Sequence, residues 1–277
     1  MDLYTQTSFK CSKVITNCYS TSFSAGIKAF GKDLRLPIYA IYGFVRFADE
    51  IVDTFHNHDK AALIAQFEID TYACIANRIS LNPVLHAFQT VVNQYDVPHT
   101  LIAAFLKSME MDLNKTAYNE AGYEEYIYGS AEVIGLMCLK VFCNSDDNQY
   151  QKLVPQAKSL GAAFQKINFL RDIKSDFEDR GRTYFPNVNF NRFTDVDKRI
   201  IEDDIQKDFD DALIGIKSLP ESSKAGVYIA YLYYIALFEK VKNLSADTIA
   251  QKRIRIGNAH KIILMLLAIL KVRLNFL

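Results

Sequence analysis

Hydrophobic positions along the chain recur mostly with helical period, and no run of alternating apolar and polar residues stands out as a strand. Two segments, "EEYIYGSAEVIGLMCLKVF" (124–142) and "AGVYIAYLYYIALFEKVKNL" (225–244), are apolar nearly all round, as expected for helices at the centre of a bundle. A third, "YAIYGFVRFADEIVDTF" (39–55), is as apolar but carries Asp49, Glu50 and Asp53. Pro37, Pro98 and Pro155 sit where a first helical turn tolerates proline. The run that starts at Pro155 is expected to end at Gly181, which can take the left-handed conformation of a helix terminus. Loops are expected near 55–60, 80–84, 144–150 and 181–197. The pattern predicts one all-α domain over residues 1–277.

Composition narrows the function. Lys plus Arg and Asp plus Glu both number 32, so there is no basic excess to argue for a nucleic-acid partner. The N-terminus has no apolar core of a signal peptide, and the apolar stretches at 225–238 and 262–270 fall short of the roughly 20 residues of a spanning helix. A cytoplasmic protein is expected, with Cys11, Cys18, Cys74, Cys138 and Cys143 as reduced, buried thiols. No glycine-rich phosphate loop or nucleophile elbow is present, so NTPase, dinucleotide-fold and serine-hydrolase readings lack support.

The acids in the third segment are arranged. On a helix, Tyr42, Arg46, Asp49 and Asp53 share a stripe about 60° wide. Gln165, Asn168, Asp172 and Asp176 form a similar file. With 32 acids in 277 residues, chance alone gives about 4 acidic i,i+4 pairs (the squared acid frequency times 277 − 4 windows), so one pair means little. Two pairs, each continuing a polar file through an apolar helix, mean more. Carboxylates about 6 Å apart repel by roughly 3 kcal/mol at an effective dielectric near 20. A divalent cation removes that penalty, and carboxylate and amide oxygens suit Mg²⁺, which keeps waters and shares coordination with substrate phosphates. Arg46 and Arg171 could then hold phosphate oxygens bidentately.

At these residues the chain resembles the squalene/phytoene synthase family. The stretches that carry the likeness are "SFSAGIKAF", "YAIYGFVRFADEIVD", "YIYGSAEVIGLM" and "LGAAFQKINFLRDIKSDFEDRGRTYFP", within a match running from about residue 12 to 270 and closest in pattern to bacterial phytoene synthases. The resemblance implies an all-α isoprenoid synthase bundle with a central cavity. Its activity would be head-to-head condensation of two prenyl diphosphates: geranylgeranyl diphosphate to give 15-cis-phytoene, or farnesyl diphosphate to give dehydrosqualene or squalene. It implies Mg²⁺, with Mn²⁺ as a substitute, and NADPH only if squalene is the product.

The resemblance also assigns residues. Asp49, Asp53, Asn168, Asp172 and Asp176 would hold metal, with Arg46 and Tyr128 completing the catalytic set. Tyr19, Ser20, Thr21, Ser22, Tyr42, Arg46, Gln165, Arg171, Arg182, Tyr184, Tyr234 and Arg253 match substrate-contacting positions, and Phe23, Tyr42, Tyr128 and Tyr234 would wall the cavity. Tyr233 could stand in for Tyr234 with a one-residue shift. Two departures are visible: Thr21 where many members have Lys, and Glu132 where many have Gly. Because all four aspartates are present, a non-catalytic relative serving as a binding module is the weaker alternative. His56 and His58 have metal-like spacing but no third ligand nearby. The last segment, "KRIRIGNAHKIILMLLAILKVRLNFL", reads as a helix packed on the bundle or as a peripheral membrane contact for release of an oily product. Oligomeric state is left open.

Overall fold

The computed structural model describes residues 1–114, 117–144, 146–178, 182–186, 188, 192–274 and 276, the side chains at 175, 177 and 178 excepted. Among these residues the chain is all α, with one isolated bridge between Ala117 and Thr183 and no strand. The helices are α1 (Leu3–Tyr19), α2 (Thr21–Lys28), α3 (Lys32–Thr54), α4 (Lys60–Asn77), α5 (Pro83–Tyr95), α6 (His99–Asn114) and α7 (Glu120–Ile127). A π-helical turn (Tyr128–Glu132) joins α7 to α8 (Val133–Cys143). There follow α9 (Asp147–Glu178), α10 (Asp195–Ser218), α11 (Glu221–Lys242), α12 (Ala246–Gln251) and α13 (Asn258–Arg273).

Many boundaries follow from side chains that accept orphaned N–H groups. Asp2, Ser20, Asp59, Asn82, Asn119 and Ser245 each cap a helix in this way. Thr194 and Asp197 form a reciprocal capping box at the start of α10. Two expectations about proline need correcting. Pro37 lies inside α3 and Pro155 inside α9, not at helix starts. Each ring removes one backbone hydrogen bond. The turns on both sides stay helical because they are anchored in the core, by Leu34 and Ile38 around Pro37 and by Leu153 and Ala162 around Pro155. As a result α9 begins at Asp147, within the stretch expected to be a 144–150 loop. The expected stop at Gly181 lies outside the described residues.

One continuous cluster of buried apolar side chains extends from Phe9 to Val272. Phe44 on α3 stacks on Phe88 at 3.8 Å, with Phe67 and Phe105 at 5.4 Å. The run Glu120–Cys143 is long and apolar enough to cross a membrane, but 67% of its apolar window is buried inside the bundle, where Val133, Met137 and Val141 are sealed off. Of the cysteines, Cys74 and Cys143 are buried, Cys11 and Cys138 partly so, and Cys18 is exposed, so the expectation of uniformly buried thiols does not hold. At Gly161 a Cβ would come within 2.8 Å of the Ala131 carbonyl oxygen. The missing side chain lets α9 lie against the π-helical turn.

Candidate active site

A cavity of about 620 Å³ runs through the bundle between α2, α3, α6, α8, α9, α10 and α11. Its lining positions on α3 extend from Ile38 to Asp53, about 22 Å at 1.5 Å per residue. One end is polar, where Arg46, Asp49 and Asp53 face Arg171, Asp172 and Asp176. The other is apolar, with Ile38, Leu139, Phe142 and Leu153. Phe30 and Phe142 meet there at 5.1 Å. Phe30 also packs closely on Gly226, where a Cβ would come within 2.2 Å of its ring.

Both files expected from the helical wheel line this one cavity in full: Tyr42, Arg46, Asp49 and Asp53 from α3, and Gln165, Asn168, Asp172 and Asp176 from α9. Tyr19, Ser20, Phe23, Arg182, Tyr184, Tyr234 and Arg253 line it as well. Tyr234, not Tyr233, takes the wall position. Its ring stacks on Phe164 at 3.8 Å, and its hydroxyl donates to Asn168 Oδ1 at 3.2 Å. Three expected residues are not in the lining. Thr21, exposed, and Ser22, half-buried, sit on the first turn of α2, and the Tyr128 ring lies under the Lys158 ammonium at 5.2 Å. Glu132 is outside the lining too, with its carboxylate 3.0 Å from Lys158 Nζ.

One residue absent from the expected set is central. Asp112, on α6, is buried at the polar end. Its Oδ2 accepts from the Tyr126 hydroxyl at 2.9 Å, while Oδ1 makes no hydrogen bond and has only a 3.5 Å ion pair to Arg182 Nη1. Arg182 also pairs with Asp53 at 3.5 Å, donates to the Asp112 carbonyl at 2.8 Å, and its backbone N–H donates to the Asp176 carbonyl at 2.7 Å. It therefore ties α3, α6 and the end of α9 together.

The charge balance is uneven. Burial pushes the Asp49 carboxyl up to about 7, opposed by Arg46 and reinforced by Asp53, Asp112 and Glu50. About a third of its side-chain surface (34%) is still open, and that opening faces the cavity. Burial pushes Asp112 up to about 6, with Arg182 and the Tyr126 hydrogen bond pulling down and Asp53 and Asp176 pushing up. Arg46 is divided between Asp49 at 3.8 Å and Glu50 at 2.5 Å, and its guanidinium stacks 4.4 Å over the Tyr19 ring.

These residues fit a divalent cation. Burial holds Asp49, and Asp112 behind it, above the ordinary carboxylate range, so the carboxylates at this end of the cavity are short of positive charge. Among the described residues, no three Asp, Glu, His or Cys side chains converge as a ready-made cage.

The model of the family described as squalene/phytoene synthase matches residues 16–260. The chain is 26% identical over 191 residues to a phytoene synthase of Mycobacterium tuberculosis, covering 66% of this chain and 59% of that one. It is 31% identical over 179 residues to a 15-cis-phytoene synthase of Enterobacter agglomerans, covering 60% and 58%. The matches thus span under two thirds of these relatives' lengths. Its backbone superposes on a crystal structure of a dehydrosqualene synthase with a TM-score of 0.82 and 20% identity, covering 97% of this chain and 98% of that one. The chain belongs to the squalene/phytoene synthase family, a family of prenyltransferases.

Proposed function

We propose that the chain joins two molecules of geranylgeranyl diphosphate head to head, releasing diphosphate and forming 15-cis-phytoene, and that residues 1–277 do so as a single domain. The observation that carries this reading is the convergence of two aspartate files from α3 and α9 at the polar end of an otherwise apolar cavity. The likeness to phytoene synthases supports the C20 substrate. Five cysteines without disulfide partners agree with a reducing cytoplasm.

In this reading Asp49, Asp53, Asn168, Asp172 and Asp176 hold Mg²⁺, or Mn²⁺ in its place, whose charge stabilises the departing diphosphate. Asn168 can serve while accepting from Tyr234, because its carbonyl oxygen has two lone pairs. Arg46, Arg171, Arg182 and Arg253 line the same end and take phosphate oxygens. Ionisation of the first substrate leaves an allylic cation. The double bond of the second captures it, and loss of a proton from the resulting cation closes the ring of a cyclopropylcarbinyl diphosphate. A second ionisation, rearrangement and loss of a proton then release the hydrocarbon. Tyr42, Phe164 and Tyr234 present aromatic faces to the cations, and the apolar walls exclude the water that would quench them.

One feature favours a second reading. Phe30 and Phe142 meet at the apolar end, and a cavity shortened by their rings would suit two farnesyl diphosphates, giving a C30 product and requiring NADPH only if that product is squalene. The purified protein is incubated with Mg²⁺ and each diphosphate separately, with and without NADPH, and the hydrocarbon is extracted. A C40 product supports the first reading and a C30 product the second. Intact diphosphate in every tube rejects both.

A further inference from the structure

The last helix has two apolar faces, and the fold uses only one. Leu264, Met265, Ala268, Ile269 and Val272 of α13 turn inward and pack on the bundle. On the other side Ile262, Ile263, Leu266, Leu267 and Leu270 are exposed, and Leu274 continues the stripe just past the helix end. Ile262, Leu266 and Leu270 retain 55%, 59% and 54% of their surface, against 8% for Val272 on the inner face. At 100° per residue these six positions fill an arc of about 140°. A continuous apolar face of this kind on a surface helix marks something that covers it.

The charges say what. From residue 252 to 277 the sequence has no Asp or Glu. Lys252, Arg255, Lys271 and Arg273 are exposed; Lys271 flanks the stripe and Arg273 stands at its C-terminal end, whereas half-buried Lys261 lies on the inward side. Arg253 is engaged with Asp172 at 2.8 Å and belongs to the cavity instead. A second copy of the chain would bring like charges together in either orientation, which is unfavourable. A surface that is apolar below and negative at its edge satisfies both features. The face also lies beside the cavity: α13 packs on α2 and α11, which supply Phe23, Ile27, Val227 and Tyr234 to its lining.

We infer that α13 is a docking surface for an anionic phospholipid bilayer. Its Ile/Leu stripe lies among the acyl chains, and its basic side chains lie at the headgroups. This assignment is independent of the proposed reaction, because it is read without substrate.

The test is sedimentation of the full chain with vesicles of phosphatidylcholine containing phosphatidylglycerol, against phosphatidylcholine alone. The chain is expected to pellet with the anionic vesicles and to be released by salt. Leu266→Asp with Leu270→Asp should weaken binding by more than tenfold, since each removes a leucine from among the acyl chains. Lys271→Glu with Arg273→Glu should weaken it by at least roughly fivefold per side chain. The chain has no Trp, so Leu267→Trp adds a single reporter to an otherwise native protein. The emission of the introduced indole should shift to the blue with anionic vesicles. Equal pelleting of the leucine variant, or an indole emission that the vesicles leave unshifted, would overturn the inference. A wild-type dimer that the leucine variant splits, with no pelleting by either, would reassign the face to a second copy.

Discussion

The two aspartate files have the same spacing on their helices and opposite electrostatic settings. On α9, Asp172 is held by the adjacent Arg171 and by Arg253 from the chain's last sixth, at 2.8 Å. On α3, Asp49 has only a share of Arg46, which lies closer to Glu50, and burial with neighbouring carboxylates raises it to about 7. The α9 side carries its own counter-charge, in arginines that phosphate could draw off. The α3 side is short of positive charge and gains most from an incoming cation. Identical i,i+4 motifs therefore divide the work of gripping a diphosphate and its metal.

The strongest way to break this comparison is to remove one carboxylate from each side. Asp49→Asn and Asp172→Asn should each lower turnover by orders of magnitude, on the order of 10²-fold or more, as expected when charge stabilisation of a transition state is lost. Near-normal rates in both would end the ligand assignment. Their effects on the substrate-free fold should differ in sign. Asp49→Asn relieves a desolvated carboxylate and should raise the melting temperature at pH 8. Asp172→Asn leaves Arg171 and Arg253 without their partner and should cost about 1–2 kcal/mol. Thermal melts of the two proteins would decide it, and shifts of the same sign would erase the distinction.

A pH series sharpens the same point. Between about pH 4 and 7 the folded chain retains a proton on Asp49 that the unfolded chain has released, and Asp112 adds to this up to about 6. The folded state binds more protons in that window, so metal-free stability falls as pH rises through it. Cation affinity rises over the same range, because the ligand must be deprotonated. Melting curves with and without Mg²⁺ should diverge above about pH 6, and Asp49→Asn should remove most of the divergence. A gap independent of pH would contradict the division between the two files.

Much of the site was legible because its two files are periodic within single helices. A wheel drawn on 39–55 or 165–176 needs no knowledge of the fold, and all eight residues line the cavity. Asp112 was not legible. It stands alone in "SMEMDLN", and its importance comes from Arg182, 70 residues later. Ser130 Oγ and Gln156 Oε1, buried without partners on the cavity wall, gave no sequence signal for the same reason. Tyr128, at the start of the π-helical turn, lies outside the cavity lining with its ring under Lys158, a placement that no helical wheel of the segment reveals. Pro155 misled because tertiary packing outweighed a local breaker. The two departures from the family pattern are also explained by position. Glu132 faces Lys158 instead of the cavity, and Thr21 is exposed on the first turn of α2.

The smaller effects belong to those outlying positions. Asp112→Asn keeps the shape of the pocket but leaves Arg182 with one fewer carboxylate. It should reduce turnover less than either file variant, roughly tenfold, as one second-rank charge contact. A loss equal to that of Asp49→Asn would make Asp112 a direct ligand. Thr21→Lys should lower KM less than about threefold with kcat unchanged, since an exposed charge is weak and screened. A change in kcat would bring Thr21 into the site.

The most direct measurement is calorimetric titration of Mg²⁺ into the protein saturated with an unreactive prenyl thiodiphosphate. It is made on the wild type and on the Asp49→Asn and Asp172→Asn variants. Saturable binding of Mg²⁺ is predicted for the wild type and its loss in both variants, with the thiodiphosphate held far more weakly when the metal is chelated. Unaltered Mg²⁺ binding in either variant, or thiodiphosphate affinity indifferent to chelation, would contradict a shared metal site built from the two files.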